Sequence, residues 1–243
     1  MTTLIRVSLQ DIQSIMLEQF MEGCCIGNIS VVKACLADSK FDPNEFTDSV
    51  RSDRACKRIM STGFLEACFN GHTEIVRLLL EDPRIDVNKG DKHGWTGFMD
   101  ACYHEHTDIV RLLLEASRSD INTANNDGWT GFIYACENGC SEIVTLLLQD
   151  SRIDYNKAKN DGWTGFLLAC YNGHREIVSL LLQNSRIDVN KTDKSGWTGF
   201  IYACFDGYGK ILSLLSDSER VDCVCGWKES VDRLCRRRTE QCV

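Results

Sequence analysis

The chain has only two prolines in 243 residues, and no stretch approaches the roughly 18 uninterrupted apolar residues of a membrane-spanning helix. With 43% hydrophobic and 26% charged residues, this composition excludes a disordered chain and allows a substantial core. Net positive charge is also lacking: the formal charge is -8 and the isoelectric point near 5.2. That balance argues against nucleic acid as the main partner, since phosphate binding needs a positive surface, and it suits a basic or neutral protein. The opening stretch "MTTLIRVSLQDIQSIMLEQF" scatters charges among its apolar residues, so no signal-peptide core is expected, nor membrane insertion. Also missing are a nucleophile with a placed base, a phosphate loop and paired carboxylates. We therefore expect no enzyme, no cofactor and no small-molecule substrate.

What is abundant is cysteine, with 14 residues. Cys68, Cys102, Cys136, Cys170 and Cys204 lie 34 residues apart, and Cys24 fills the same slot in an earlier, diverged segment. Each follows a small residue, as expected of a thiol used as a compact apolar filler between helices. Reduced thiols and a cytoplasmic or nuclear location are expected.

The same period of 34 sets Trp95, Trp129, Trp163 and Trp197 in register within "GWTGF". Ser61 takes the tryptophan slot in a further repeat that precedes these four, and "FMEGCCIGNISVVKACLADSKFDPN" from Phe20 fits a degenerate first one. The chain thus divides into an N-terminal helical extension (1–15), six repeats (about 16–44, 61–94, 95–128, 129–162, 163–196 and 197–224) and a C-terminal helical tail (225–243). A longer loop (45–60) separates the first two repeats. Within a repeat, Thr96 is placed to cap a short helix whose Phe98, Ala101 and Cys102 share one face. Glycine in a break such as "NGH" ends it, and "TEIVRLLLE" forms a second helix. Ile75, Val76, Leu78, Leu79 and Leu80 are too many for one stripe, so neighbouring repeats must cover them. Residues such as "DPRIDVNKGDKHG" suit an extended, hairpin-like link.

The order G-x-T-G-F-x-x-A-C-x-x-G-H-x-E-I-V-x-L-L-L followed by I-D-V-N resembles the ankyrin repeat, across roughly residues 16–224. The resemblance implies an all-α solenoid of stacked helix-turn-helix repeats joined by short β-hairpin-like loops. Against the family pattern, Gly97, Gly131, Gly165 and Gly199 replace proline, and Met99, Ile133, Leu167 and Ile201 replace a histidine that ties neighbours together, so apolar packing must take over. Glu105 stands where a positive φ favours glycine, which predicts strain of about 1 kcal/mol.

The resemblance also implies a noncatalytic protein-binding module that meets its partner with its concave face and hairpin tips. The tips here include Lys92, His93, Asn126, Asp127, Asn160, Asp161, Lys194 and Ser195. The first-helix face holds Phe69, Tyr103, Glu137, Tyr171 and Phe205, with Trp95, Trp129, Trp163 and Trp197 between the two sets. Neighbouring helices lie about 8–10 Å apart, whereas stacked rings want about 4.5–7 Å, so the tryptophans need intervening groups. Two roles stay open for them: filling space where proline gave way to glycine, or touching a partner. An alternative function is an adaptor or targeting subunit of an enzyme complex, acting through the nonrepeat ends. His104 and His106 lack an evident third metal ligand and are expected at the surface. Cys223, Cys225, Cys235 and Cys242 lack the paired spacing of structural zinc sites, so no metal is expected.

Overall fold

The computed structural model describes residues 9–46 and 61–222. The start of the expected N-terminal extension, most of the longer loop, Cys223 and the expected C-terminal tail with Cys225, Cys235 and Cys242 lie outside the described residues. Among the described residues there are twelve helices and no strand, apart from one isolated bridge between Ala158 and Thr164. They fall into two compact blocks, one ending at Asp120 and the other starting at Ile121.

The N-terminal block contains α1 (Leu9–Ile26), α2 (Ile29–Leu36), α3 (Gly63–Phe69), α4 (Thr73–Glu81), α5 (Gly97–Tyr103) and α6 (Thr107–Glu115). The C-terminal block contains α7 (Gly131–Asn138), α8 (Ser141–Gln149), α9 (Gly165–Tyr171), α10 (Arg175–Gln183), α11 (Gly199–Phe205) and α12 (Gly209–Ser216). In both blocks first helices pack on first helices and second on second, giving stacked helix pairs. The helix α1 runs through residue 16 without a break, so extension and first repeat share one helix.

Each later pair starts as its sequence predicts. The hydroxyls of Thr62, Thr96, Thr130, Thr164 and Thr198 accept a hydrogen bond from the amide three residues on, at 3.3–3.4 Å. Phe98, Ala101 and Cys102 are buried. In α4, Ile75, Val76 and Leu79 are buried while Leu78 and Leu80 are half-buried, as expected of a helix covered by its neighbours. At the turn between α5 and α6, Glu105 has φ of 61°, and among the described residues it is the one non-glycine with positive φ.

The glycine after the capping threonine has, at Gly97 and Gly165, a cause that the repeat pattern did not reveal. A Cβ on Gly165 would sit 2.9 Å from Cys136 Sγ and 3.0 Å from Phe132 Cε1; one on Gly97 would sit 2.8 Å from both Cys68 Sγ and Phe64 Cε1. The phenylalanine and cysteine of the preceding repeat therefore occupy the volume where the family places proline, and glycine is the residue that lets the two helices approach. At Gly97 and Gly165 the atoms nearest to such a Cβ thus belong to the preceding repeat's phenylalanine and cysteine.

Polar bridges between repeats also survive, although at other positions. The buried Met99, Ile133 and Leu167 take over the apolar share of the lost histidine. Meanwhile Nε2 of His72, His106 and His174 lies 2.9, 3.0 and 2.7 Å from the carbonyls of Cys25, Phe69 and Glu137 in the preceding repeat.

A second set of bridges comes from the R-I-D-x-N-K segments. Asn88 Nδ2 donates to the Arg118 carbonyl at 2.8 Å while its Oδ1 accepts from the Asp120 amide at 2.7 Å. Asn44, Asn122, Asn156 and Asn190 repeat this pair of bonds. Arg118 reaches back to the carbonyls of Leu80 and Ile85, both at 2.8 Å, and so caps the end of α4. Arg84 does the same for α2 and Arg220 for α10. Lys89, Lys157 and Lys191 complete the ladder on the asparagine carbonyls, at 2.7 Å each. Among the described residues no helix is long and apolar enough to cross a membrane.

Candidate functional site

The hairpins that present the tips are built by one side chain each. Asp91 Oδ1 accepts from the amides of His93 and Trp95, both at 2.9 Å, while Gly94 N–H donates to Asp91 O and Asp91 N–H to Trp95 O. This is a tight turn followed by a left-handed residue, which narrows the loop and fixes where the tryptophan leaves it. Asn125 and Asp193 organise their hairpins identically. In the hairpin that leads to Trp163, Lys159 holds that slot, and Asp161 Oδ1 takes over the Trp163 amide at 3.3 Å.

In the C-terminal block the tips are also tied to each other. Asn160 N–H donates to Asp127 O at 3.1 Å and Asn160 Nδ2 to Asn126 O at 2.8 Å, while Lys194 N–H donates to Asp161 O at 3.2 Å. Gly128 permits this approach: its φ is 87°, and a Cβ there would lie 2.7 Å from the Asn160 nitrogen. Lys92, His93, Asn126, Asp127, Asn160, Asp161, Lys194 and Ser195 are all exposed.

All four tryptophans of the motif are half-buried. Trp95 meets Tyr103 edge-on with centroids 5.6 Å apart. Trp129 stacks on Tyr134 at 4.6 Å and 9°, and Lys159 Nζ lies 4.0 Å over its ring. Trp163 touches Tyr171 at 5.2 Å and Tyr202 at 4.5 Å; Trp197 touches Tyr202 at 5.1 Å and Phe205 at 5.5 Å. The intervening group required between Trp163 and Trp197 is therefore Tyr202, whose ring contacts both. Tyr134 and Tyr202 were not among the expected site residues. Their signal is a tyrosine before "AC" in the fourth and sixth repeats only, at a position that helix periodicity assigns to the packed face.

The tyrosines are anchored by the same slot that builds the hairpins. Tyr202 Oη donates to Asp193 Oδ2 at 2.5 Å, whereas Tyr134 Oη accepts from Asn125 Nδ2 at 3.1 Å. Burial, and then the bond to Asp193, push the Tyr202 phenol well above its ordinary value. Burial opposes ionisation of Asp193, yet the bonds from Tyr202 and from the amides of Trp197, Ser195 and Gly196 prevail and hold its carboxyl below the ordinary range.

Outward from these rings the first-helix residues are the most accessible aromatics among the described residues: Tyr103 is 40% exposed, Tyr171 44% and Phe205 49%. Phe69 is half-buried and packs edge-on against His104 at 4.4 Å. His104 and His106 stack at 6.0 Å, and no group of three or more metal-binding side chains occurs among the described residues. The structure thus brings Trp95 to Tyr103, Trp163 to Tyr171 and Trp197 to Phe205. Lys159, also absent from the expected set, links Trp129 to Asp161 through an ion pair of 3.2 Å.

The buried cysteines Cys24, Cys68, Cys102, Cys136, Cys170 and Cys204 carry free thiols in the stacking slot. Burial pushes the Cys136 and Cys170 thiols well up, away from the nucleophilic thiolate. No curated protein matches the sequence. A family model described as ankyrin repeats (3 copies) matches residues 20–124, 64–159 and 153–225. With nearly the whole described chain under that match, and threonine-capped helix pairs stacked in register beneath it, the chain belongs to the ankyrin repeat family.

Proposed function

We propose that the chain is a noncatalytic module that binds a protein through the side formed by its first-helix ends and hairpin tips. The observation that carries this reading is the exposure of Tyr103, Tyr171 and Phe205 at 40–49%, each backed by a half-buried tryptophan. Rings held from behind lose little freedom on binding, which is what makes an aromatic residue an efficient anchor. The tips add exposed polar groups around these rings, the arrangement of an apolar centre with a polar rim. Cysteine at every stacking slot supports a reducing location, in the cytoplasm or nucleus.

Co-precipitation with the wild type and a Tyr171→Ala, Phe205→Ala double variant tests the reading. Helical content by circular dichroism and the unfolding midpoint serve as controls. Loss of bound proteins with both controls preserved is the expected outcome. An unchanged set of bound proteins would remove this side as the interface.

A further inference from the structure

Glu137 is a break in the aromatic row of the C-terminal block. It fills on α7 the slot that Tyr171 fills on α9 and Phe205 on α11. Its carbonyl is bonded by Asn172 Nδ2 at 3.1 Å and lies 2.7 Å from His174 Nε2, so it is fixed beside the helix end that carries Tyr171. The side chain is half-buried, and burial pushes its carboxyl up against the opposing pull of the Lys159 ammonium. That ammonium has other commitments: it lies 4.0 Å over the Trp129 ring and 3.2 Å from Asp161 Oδ2. That cation is thus committed to Asp161 and the ring, and its pull on Glu137 does not outweigh the effect of burial.

A partly dehydrated carboxylate with a fraction of a counter-ion gains more from a second cation than a fully hydrated one does. The surroundings favour the same sign, with Asp127 and Asp161 exposed at the adjoining tips. Beside the acidic slot are the exposed rings of Tyr171 and Phe205, which offer a cation a π-face and apolar side chains a platform.

We propose that this side of the C-terminal block docks a protein segment in which one arginine or lysine is flanked by apolar residues. The cation pairs with Glu137 and lies against Tyr171, and the apolar neighbours cover Phe205. Arginine is preferred to lysine, because its planar guanidinium forks onto a carboxylate while stacking on a ring. Acidic segments are disfavoured by Asp127, Glu137 and Asp161. The proposal rests on the binding role of this side argued above.

Panning a phage-displayed library of random peptides on the full chain tests it. Enriched peptides are expected to carry arginine or lysine next to aromatic or aliphatic residues. Synthetic copies should bind the Tyr171→Ala, Phe205→Ala double variant about 30-fold or more weakly and the Glu137→Gln variant about tenfold more weakly. Added salt should weaken the wild-type complex more than that of Glu137→Gln. Peptides that need the two rings but are uncharged or acidic, or that bind Glu137→Gln unchanged, would overturn the cation while leaving the binding side standing. Recovery of no peptide, or only of peptides indifferent to the double variant, would overturn both.

Discussion

On the R-I-D-x-N-K side of the repeats, Asn88, Asn156 and Asn190 make the same two bonds to the same two backbone groups, at 2.7–2.9 Å. On the hairpin side, Trp95, Trp129, Trp163 and Trp197 are equally regular in sequence, yet each rests on different company: a tyrosine edge, a stacked tyrosine under a lysine, two tyrosines, or a tyrosine and a phenylalanine. The difference teaches where a repeat protein stores its stability and where it stores its individuality. The asparagine pair that joins one repeat to the next recurs unchanged, and where the arginine does not reach the end of α8 the Tyr155 hydroxyl bonds the same class of carbonyl, at 2.9–3.3 Å. Groups that face outward vary in charge and shape.

The strongest way to break this comparison is to disturb a junction. Gly165→Ala puts a Cβ against Cys136 Sγ and Phe132, and is expected to destabilise the chain by about 1–3 kcal/mol, read from the urea midpoint. Pairing it with Cys136→Ala should return part of that loss, as a double-mutant cycle would show. Full additivity would mean that the thiol does not set the glycine.

The next test compares the two sides directly. Arg118→Ala removes a guanidinium from the carbonyls of Leu80 and Ile85 and should cost about 2 kcal/mol, whereas Tyr103→Ala, on the outward side of the same block, should cost less than about 1 kcal/mol. The reverse order in thermal unfolding would dissolve the distinction between junction and display.

The smallest effect sharpens the comparison within the hairpin side. Asp193→Asn converts the sixth repeat's anchor to the one the fourth repeat already uses, Asn125 beneath Tyr134. Because Asp193 is held below the ordinary aspartate value of 3.8, its ionised form stabilises the fold fully above that value and ceases to do so as the pH falls through its lower folded value. The variant should therefore be less stable than wild type at pH 7, by under about 1 kcal/mol, and the gap should close as the pH drops below 3.8. A gap that widens in acid would show that the bond to Tyr202 is not what lowers the carboxyl.

Much of this architecture was legible before any coordinates. Threonine caps, the thiol slot and the positive φ of Glu105 are local matters that 34-residue periodicity exposes position by position. The junctions were less legible for a physical reason. Arg118 and Asn88 bond to backbone carbonyls and amides 30 to 38 residues away, and a main-chain partner leaves no residue type to recognise. The cause of the glycine after threonine was hidden, because a missing proline is visible in one repeat while the ring and thiol beside it at Gly97 and Gly165 belong to the one before. At the candidate site, the tryptophans and exposed rings were found by register. Tyr134, Tyr202 and Lys159 were not, since their roles depend on side-chain direction across a hairpin.

One consequence of the ladder concerns how such a chain can change. Its side chains grip only peptide groups, which every amino acid supplies, so each rung is blind to the identity of its neighbour. A period carrying asparagine at this position can be copied, removed or exchanged as a cassette, and the seam it leaves repeats the same pair of bonds. Variation in Glu137, Lys159 or the outward rings is then free to accumulate repeat by repeat, without renegotiating how the repeats are joined.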